Sequence, residues 1–63
     1  MKNYVDNEGV VVEAFQCTGP TIINIRGNDV CGGETEWVLY LKGVPIAILR
    51  NTDFEVSFKE YVE

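Results

Sequence analysis

Val10-Val11-Val12-Glu13-Ala14-Phe15-Gln16 decides the fold class. Three consecutive β-branched residues disfavour a helix. A period of two sends Val10, Val12 and Ala14 to one face and Val11, Glu13 and Phe15 to the other. A strand is expected, with the first set in the core and Val11 and Phe15 only partly buried beside Glu13. Cys17-Thr18-Gly19-Pro20 ends it, because Gly admits unusual dihedrals and Pro brings no ladder donor.

Downstream, Thr21-Ile22-Ile23-Asn24-Ile25 reads as a second short strand, with Ile22 assigned to the core, and Arg26-Gly27-Asn28-Asp29 as a turn in which Gly27 or Asn28 holds a positive φ. Val30-Cys31 starts another short strand before Gly32-Gly33 breaks it. The run Thr35 to Lys42 alternates, placing Trp37, Leu39 and Leu41 inward and Glu36, Val38, Tyr40 and Lys42 outward. Gly43-Val44 separates it from Pro45-Ile46-Ala47-Ile48-Leu49, which predicts an antiparallel hairpin with Ile46 and Ile48 in the core and Pro45 opening the return strand.

The last segment carries mixed signals. Asn51 or Thr52 can cap a short helix, and Glu55 three residues after Thr52 matches a capping box. Phe54 and Phe58, four apart, share a helical face and join the core set. The expectation is one helical turn around residues 52–56 followed by an edge strand. The whole chain, 1–63, reads as a single small domain, all-β or β-rich α+β. It is expected to form a small antiparallel sheet or a partly open barrel of about four or five short strands with one short helical turn near the C-terminus.

A domain of 63 residues buries only about 60% of the surface its unfolded chain exposes. A thin core of this kind needs a large share of bulky apolar side chains, and here 46% of residues are hydrophobic, Tyr4 and Tyr61 among the aromatics. That content argues against disorder. Cys17 and Cys31 allow one bridge at most, and Met1-Lys2-Asn3-Tyr4-Val5-Asp6 reaches an acid before any apolar run develops. No secretory leader is therefore expected, and two free thiols in a reducing compartment are. No apolar run approaches the roughly 18 residues of a membrane span. Ten acids against five bases give a net charge of −5, which discourages direct binding to nucleic acid or anionic membrane.

The chain contains no histidine, which removes histidine triads, histidine bases and most mixed zinc sites. Glu34 and Glu36 share a face if their strand extends through them, but acid pairs of the glycosidase kind need a groove between them. Gly32-Gly33 lacks the spacing of a phosphate loop. No catalytic residue, metal site or cofactor is expected, and the chain is not read as an enzyme.

The stretch Val10 to Gln16 followed by Cys17-Thr18-Gly19 resembles the opening of a family of small uncharacterised phage and prophage proteins. Later in that family come a Pro-Gly-Asp-Tyr-Ile-like strand, a Lys-Gly turn and an Asp-Ile-Phe-Glu-containing end. Gly33-Glu34-Thr35-Glu36-Trp37 stands loosely for the first, Lys42-Gly43 matches the second, and Thr52-Asp53-Phe54-Glu55 with Phe58 resembles the third. Cys17 replaces the family's aromatic after Gln, the Pro-Gly-Asp sequence is not intact, and Ala47-Ile48-Leu49 stands in place of Tyr-Pro-Cys. The resemblance implies a compact β fold, a phage origin and a location in the host cytoplasm. It implies an accessory protein that binds a host protein, including an inhibitor of a host defence system, and it transfers no functional residue.

Once the inward sets are assigned, Val11, Phe15, Val38, Tyr40 and Tyr61 remain for a second apolar surface, and an aromatic on a sheet face is the kind of side chain that anchors a protein interface. Two function classes follow. One is a non-catalytic binding protein directed at a host or viral protein; the other is a small structural or assembly protein of a phage particle. A two-fold homodimer through the face of Val38 and Tyr40, or through the strand of Tyr61, is expected in either case.

Overall fold

The computed structural model of the chain describes residues 1–62. Along them run β1 (Lys2–Asp6), β2 (Val11–Gln16), β3 (Thr21–Ile25), β4 (Asn28–Gly32), β5 (Trp37–Leu41), β6 (Val44–Leu49), α1 (Asn51–Ser57) and β7 (Phe58–Glu60). Five strands form one antiparallel sheet in the order β6-β5-β2-β1-β7, while β3 and β4 pair as a separate antiparallel hairpin. The larger sheet has β6 and β7 as edges and is open rather than closed into a barrel. This is the expected fold class, with the short helix and closing edge strand where the C-terminal signals placed them. Seven strands form among the described residues rather than four or five: Lys2–Asp6, for which no strand was expected, pairs with both β2 and β7, and the short stretch at Val30-Cys31 lengthens into the five residues of β4.

Two turns of the same kind make the β3–β4 and β5–β6 hairpins. Arg26 and Gly27 have φ of 53° and 83°, and Lys42 and Gly43 have φ of 52° and 79°. Two consecutive positive values are the mark of a type I′ turn, whose twist matches that of the flanking strands. The positive φ expected at Gly27 or Asn28 thus falls on Arg26 and Gly27, and Asn28 begins β4. Asn24 Oδ1 accepts the Gly27 N–H at 3.2 Å, fixing the first turn from inside the hairpin. Val44 and Pro45 are the first two residues of β6 rather than turn and strand start. The register shift between Leu39 and Tyr40 lies beside Pro45, where a missing N–H disturbs an edge strand least.

The core is built on one face of the larger sheet. The cross-strand pairs Tyr4–Val12, Ala14–Leu39, Gln16–Trp37 and Trp37–Leu49 put Tyr4, Val12, Ala14, Trp37, Leu39 and Leu49 on that face. The helix α1 lays Phe54, 3% exposed, onto them. Phe54 stacks on Trp37 with centroids 4.0 Å apart and planes 5° from parallel, and on Phe58 at 5.1 Å. Tyr4 meets Phe54 and Trp37 edge-on at 5.0 and 5.4 Å. Such pairs add about 0.5–1.5 kcal/mol each beyond the area they bury. Ile46, the extra residue at the register shift, also packs against this cluster.

The capping box does not form. Arg50 is the N-cap, without a side-chain cap bond, and Asn51 is the first helical residue. Its amide is spent on the sheet: Asn51 Oδ1 accepts from Trp37 Nε1 at 2.9 Å and from Gln16 Nε2 at 3.2 Å, and its Nδ2 donates to Glu55 Oε1 at 3.2 Å. A half-buried indole N–H turned away from water needs an acceptor, and Asn51 supplies it while bolting α1 to β2 and β5.

Three expected core residues are exposed. Val10 lies before β2, in a turn where its N–H donates to Asp6 Oδ1 at 2.8 Å and its carbonyl accepts the Asp6 N–H at 3.0 Å, so it never enters the alternation. Leu41 is the last residue of β5, beside the type I′ turn and past the area that α1 covers. Ile22 is 71% exposed because β3 turns Thr21, Ile23 and Ile25 inward, leaving Ile22 and Asn24 on its outer face.

Candidate functional site

The second face of the larger sheet carries the side chains that the sequence left outside the core. The pairs Val5–Val11, Val5–Lys59, Asn3–Glu13, Glu13–Tyr40, Phe15–Val38 and Val38–Ile48 all belong to it. Tyr61 extends this face at its edge, since its N–H donates to the Asn3 carbonyl at 2.9 Å and sets it opposite Asn3. A row of Tyr61, Asn3, Glu13 and Tyr40 therefore crosses four neighbouring segments, flanked by Lys59, Val5 and Val11.

Val38 does not belong to an exposed patch; it is 0% exposed. The reason is the β3–β4 hairpin, whose end closes over that part of the face. A Cβ placed on Gly32 would stand 3.3 Å from Cys17 Sγ and 3.5 Å from Ile48 Cδ1, and Ile48 is the cross-strand partner of Val38. Cys17 and Gly32 are themselves buried. The sheet is thus covered on both faces around Val38 and Leu39, which is why simple alternation misassigned Val38. Ile48, expected in the main core, is half-buried in this second layer.

The other four candidates, Val11, Phe15, Tyr40 and Tyr61, lie on this second face. Val11 is 38% and Tyr61 40% exposed, while Phe15 and Tyr40 are half-buried and stack on each other with centroids 6.1 Å apart and planes at 30°. Neighbouring diagonal positions on a sheet face allow this contact between long side chains. Glu13, half-buried, sits between the two tyrosines in the row, and exposed Lys59 lies at the rim. Periodicity did not single out Val5, because Tyr4 and Val5 are adjacent apolar residues between Asn3 and Asp6 and carry no alternation.

The other sequence candidates are dispersed. Glu36 Oε1 accepts the Gly33 N–H at 2.6 Å and holds the loop between β4 and β5, whereas Glu34 is exposed. Both thiols are free, Cys17 buried and Cys31 exposed. Thr35 has φ of 74°, a strained value for a β-branched residue. It is held by its N–H to the Cys17 carbonyl at 2.9 Å and by Gln16 Nε2 to its own carbonyl at 3.0 Å. Among the described residues no three His, Cys, Asp or Glu side chains converge as metal ligands, the surface encloses no pocket, and no helix is long and apolar enough to cross a membrane. No protein-family model, curated protein or solved structure matches the chain.

Proposed function

We propose that this chain is a non-catalytic binding protein that engages another protein through the face bearing Val11, Phe15, Tyr40 and Tyr61. The observation that carries this reading is the arrangement of that face: two tyrosines at the ends of one cross-strand row, a stacked Phe15–Tyr40 pair, and charge confined to Glu13 within and Lys59 at the rim. Aromatic side chains held rigid by a sheet lose little freedom on binding, and they dominate the energetics of protein interfaces. The partner surface that fits is apolar at its centre with one Lys or Arg to meet Glu13. A net charge of −5 favours a partner that is basic overall.

The resemblance of Val10 to Gly19 to phage proteins supports a phage-encoded accessory protein acting on a host protein in the host cytoplasm, such as an inhibitor of a defence system. The test is a tagged pulldown from infected cells with mass spectrometry, comparing the native chain with Tyr40→Asp and Tyr61→Asp after circular dichroism has shown all three folded. A host protein recovered in stoichiometric amount with the native chain and lost with both variants is expected. Retention by both variants overturns the assignment of the face. Recovery only within purified particles points instead to a structural or assembly protein.

A further inference from the structure

The sheets leave several strand edges open, and they differ in how they are guarded. The edge strand β7 has three residues, two of them the charged Lys59 and Glu60. The edge strand β6 carries Pro45, and β3 lies alongside it. Short length, charge and proline are the usual protections against pairing with another chain. The strand β4, Asn28-Asp29-Val30-Cys31-Gly32, has no proline and no lysine, and its first four residues are exposed.

The type I′ turn fixes which of its backbone groups are free. Ile25 and Asn28 flank the turn and form the first hydrogen-bonded pair, so by alternation Ile23–Val30 and Thr21–Gly32 are the next two. Asn24–Asp29 and Ile22–Cys31 are the intervening pairs, and the N–H and C=O groups of Asp29 and Cys31 therefore point away from β3, towards solvent.

We propose that β4 is the dimerisation edge of this protein, pairing antiparallel with β4 of a second copy about a two-fold axis at Val30. The strand itself selects that occupant and that register. Centred on Val30, all five residues of β4 are paired with their own sequence, and Asp29 of each copy exchanges both backbone hydrogen bonds with Cys31 of the other. Centring on Asp29 would oppose two like charges, which is destabilising. Centring on Cys31 would set Asp29 opposite Gly33, whose N–H and C=O are already engaged by Glu36. In the Val30 register the two Val30 side chains meet as a close non-hydrogen-bonded pair, and the apolar strip Ile23–Val30 continues into its counterpart as one four-stranded sheet. The interface is isologous and closed, which limits growth to the dimer. It also leaves the face of Val11, Phe15, Tyr40 and Tyr61 free, so the assembly presents two binding faces.

Light scattering of the full chain up to about 1 mM, where mass action reveals weak dimers, is expected to reach twice the 7.1 kDa monomer mass. Cys31→Pro deletes an outward N–H without touching a bond to β3 and is expected to return the mass to that of the monomer with the circular dichroism unchanged. Tyr40→Asp is expected to leave the dimer intact. Should Cys31→Pro disturb the fold, the double variant Val30→Cys, Cys31→Ser gives an independent reading: oxidation is expected to produce a reducible covalent dimer in high yield, because the paired Val30 positions lie within disulfide reach. A monomer mass across the whole range, a dimer indifferent to Cys31→Pro in the folded variant, or a dimer that the double variant cannot cross-link would each overturn the proposal.

Discussion

The face of the large sheet beneath α1 and the β3–β4 hairpin are both drawn from apolar, β-branched or aromatic sequence, yet they are packed very differently. Under α1, four aromatic rings, Tyr4, Trp37, Phe54 and Phe58, contact one another within 5.4 Å, and Asn51 ties the helix to two strands. The hairpin buries only Gly32 and exposes Ile22, Val30 and Cys31. A hairpin alone is marginal in water, so β3 and β4 depend on their attachment to β6 and on the Gly32 end, whereas the helix-covered layer is the element that makes the chain fold. The energetic weight of a segment is set by what covers it rather than by its hydropathy.

The strongest way to break this comparison is to remove the centre of the aromatic cluster. Phe54→Ala deletes a buried ring that touches Tyr4, Trp37 and Phe58 and is expected to cost about 3–5 kcal/mol. For a chain of this length that is comparable with total stability, roughly 0.05–0.15 kcal/mol per residue, so the variant is expected to be largely unfolded by circular dichroism at 25 °C. Asn51→Ala strands the Trp37 indole N–H without an acceptor and is expected to cost about 1–3 kcal/mol in urea titration. Asn51→Asp keeps the acceptor oxygen and is expected to recover a measurable part of that loss.

The two type I′ turns sharpen the comparison because the same substitution can be made in each region. Placing a Cβ at a left-handed position costs about 1–2 kcal/mol locally. Gly43→Ala, in the hairpin that contributes Leu39 and Ile46 to the core, is expected to lower global stability by that amount. Gly27→Ala is expected to loosen the β3–β4 tip while shifting the global midpoint much less, and paired thermal melts check the difference. The smallest effect belongs to Ile22→Asp, which replaces an exposed residue and is expected to stay within about 0.5 kcal/mol of the native chain.

Most of the fold was readable in the sequence because β2 keeps a clean period of two, because β5 and β6 are apolar runs separated by Lys42-Gly43, and because Phe54 and Phe58 mark the helix-to-strand passage. The strand β1 was not, since Lys2-Asn3-Tyr4-Val5-Asp6 holds only two apolar residues and becomes a strand by pairing with β2 and β7, a long-range condition. Ile22 shows a legible signal missed: Asn24 between Ile23 and Ile25 marks the outward parity of β3, and Ile22 shares it. Val38 shows an illegible one, because alternation cannot reveal that a second layer covers the outward face of β5. Of the proposed interaction face, Val11, Phe15, Tyr40 and Tyr61 were found by subtraction from the core, and the cross-strand row of the two tyrosines with Glu13 required the register.

Native-state hydrogen exchange, at a concentration where the chain is monomeric, tests most directly whether the helix-covered sheet is the cooperative core and the hairpin an attached unit. The hydrogen-bonded amides of β2 and β5 are expected to exchange only through global unfolding, and those of residues 23–30 through a smaller opening, at least about tenfold less protected. Equal protection in the two regions, falling together as urea is added, would contradict the account.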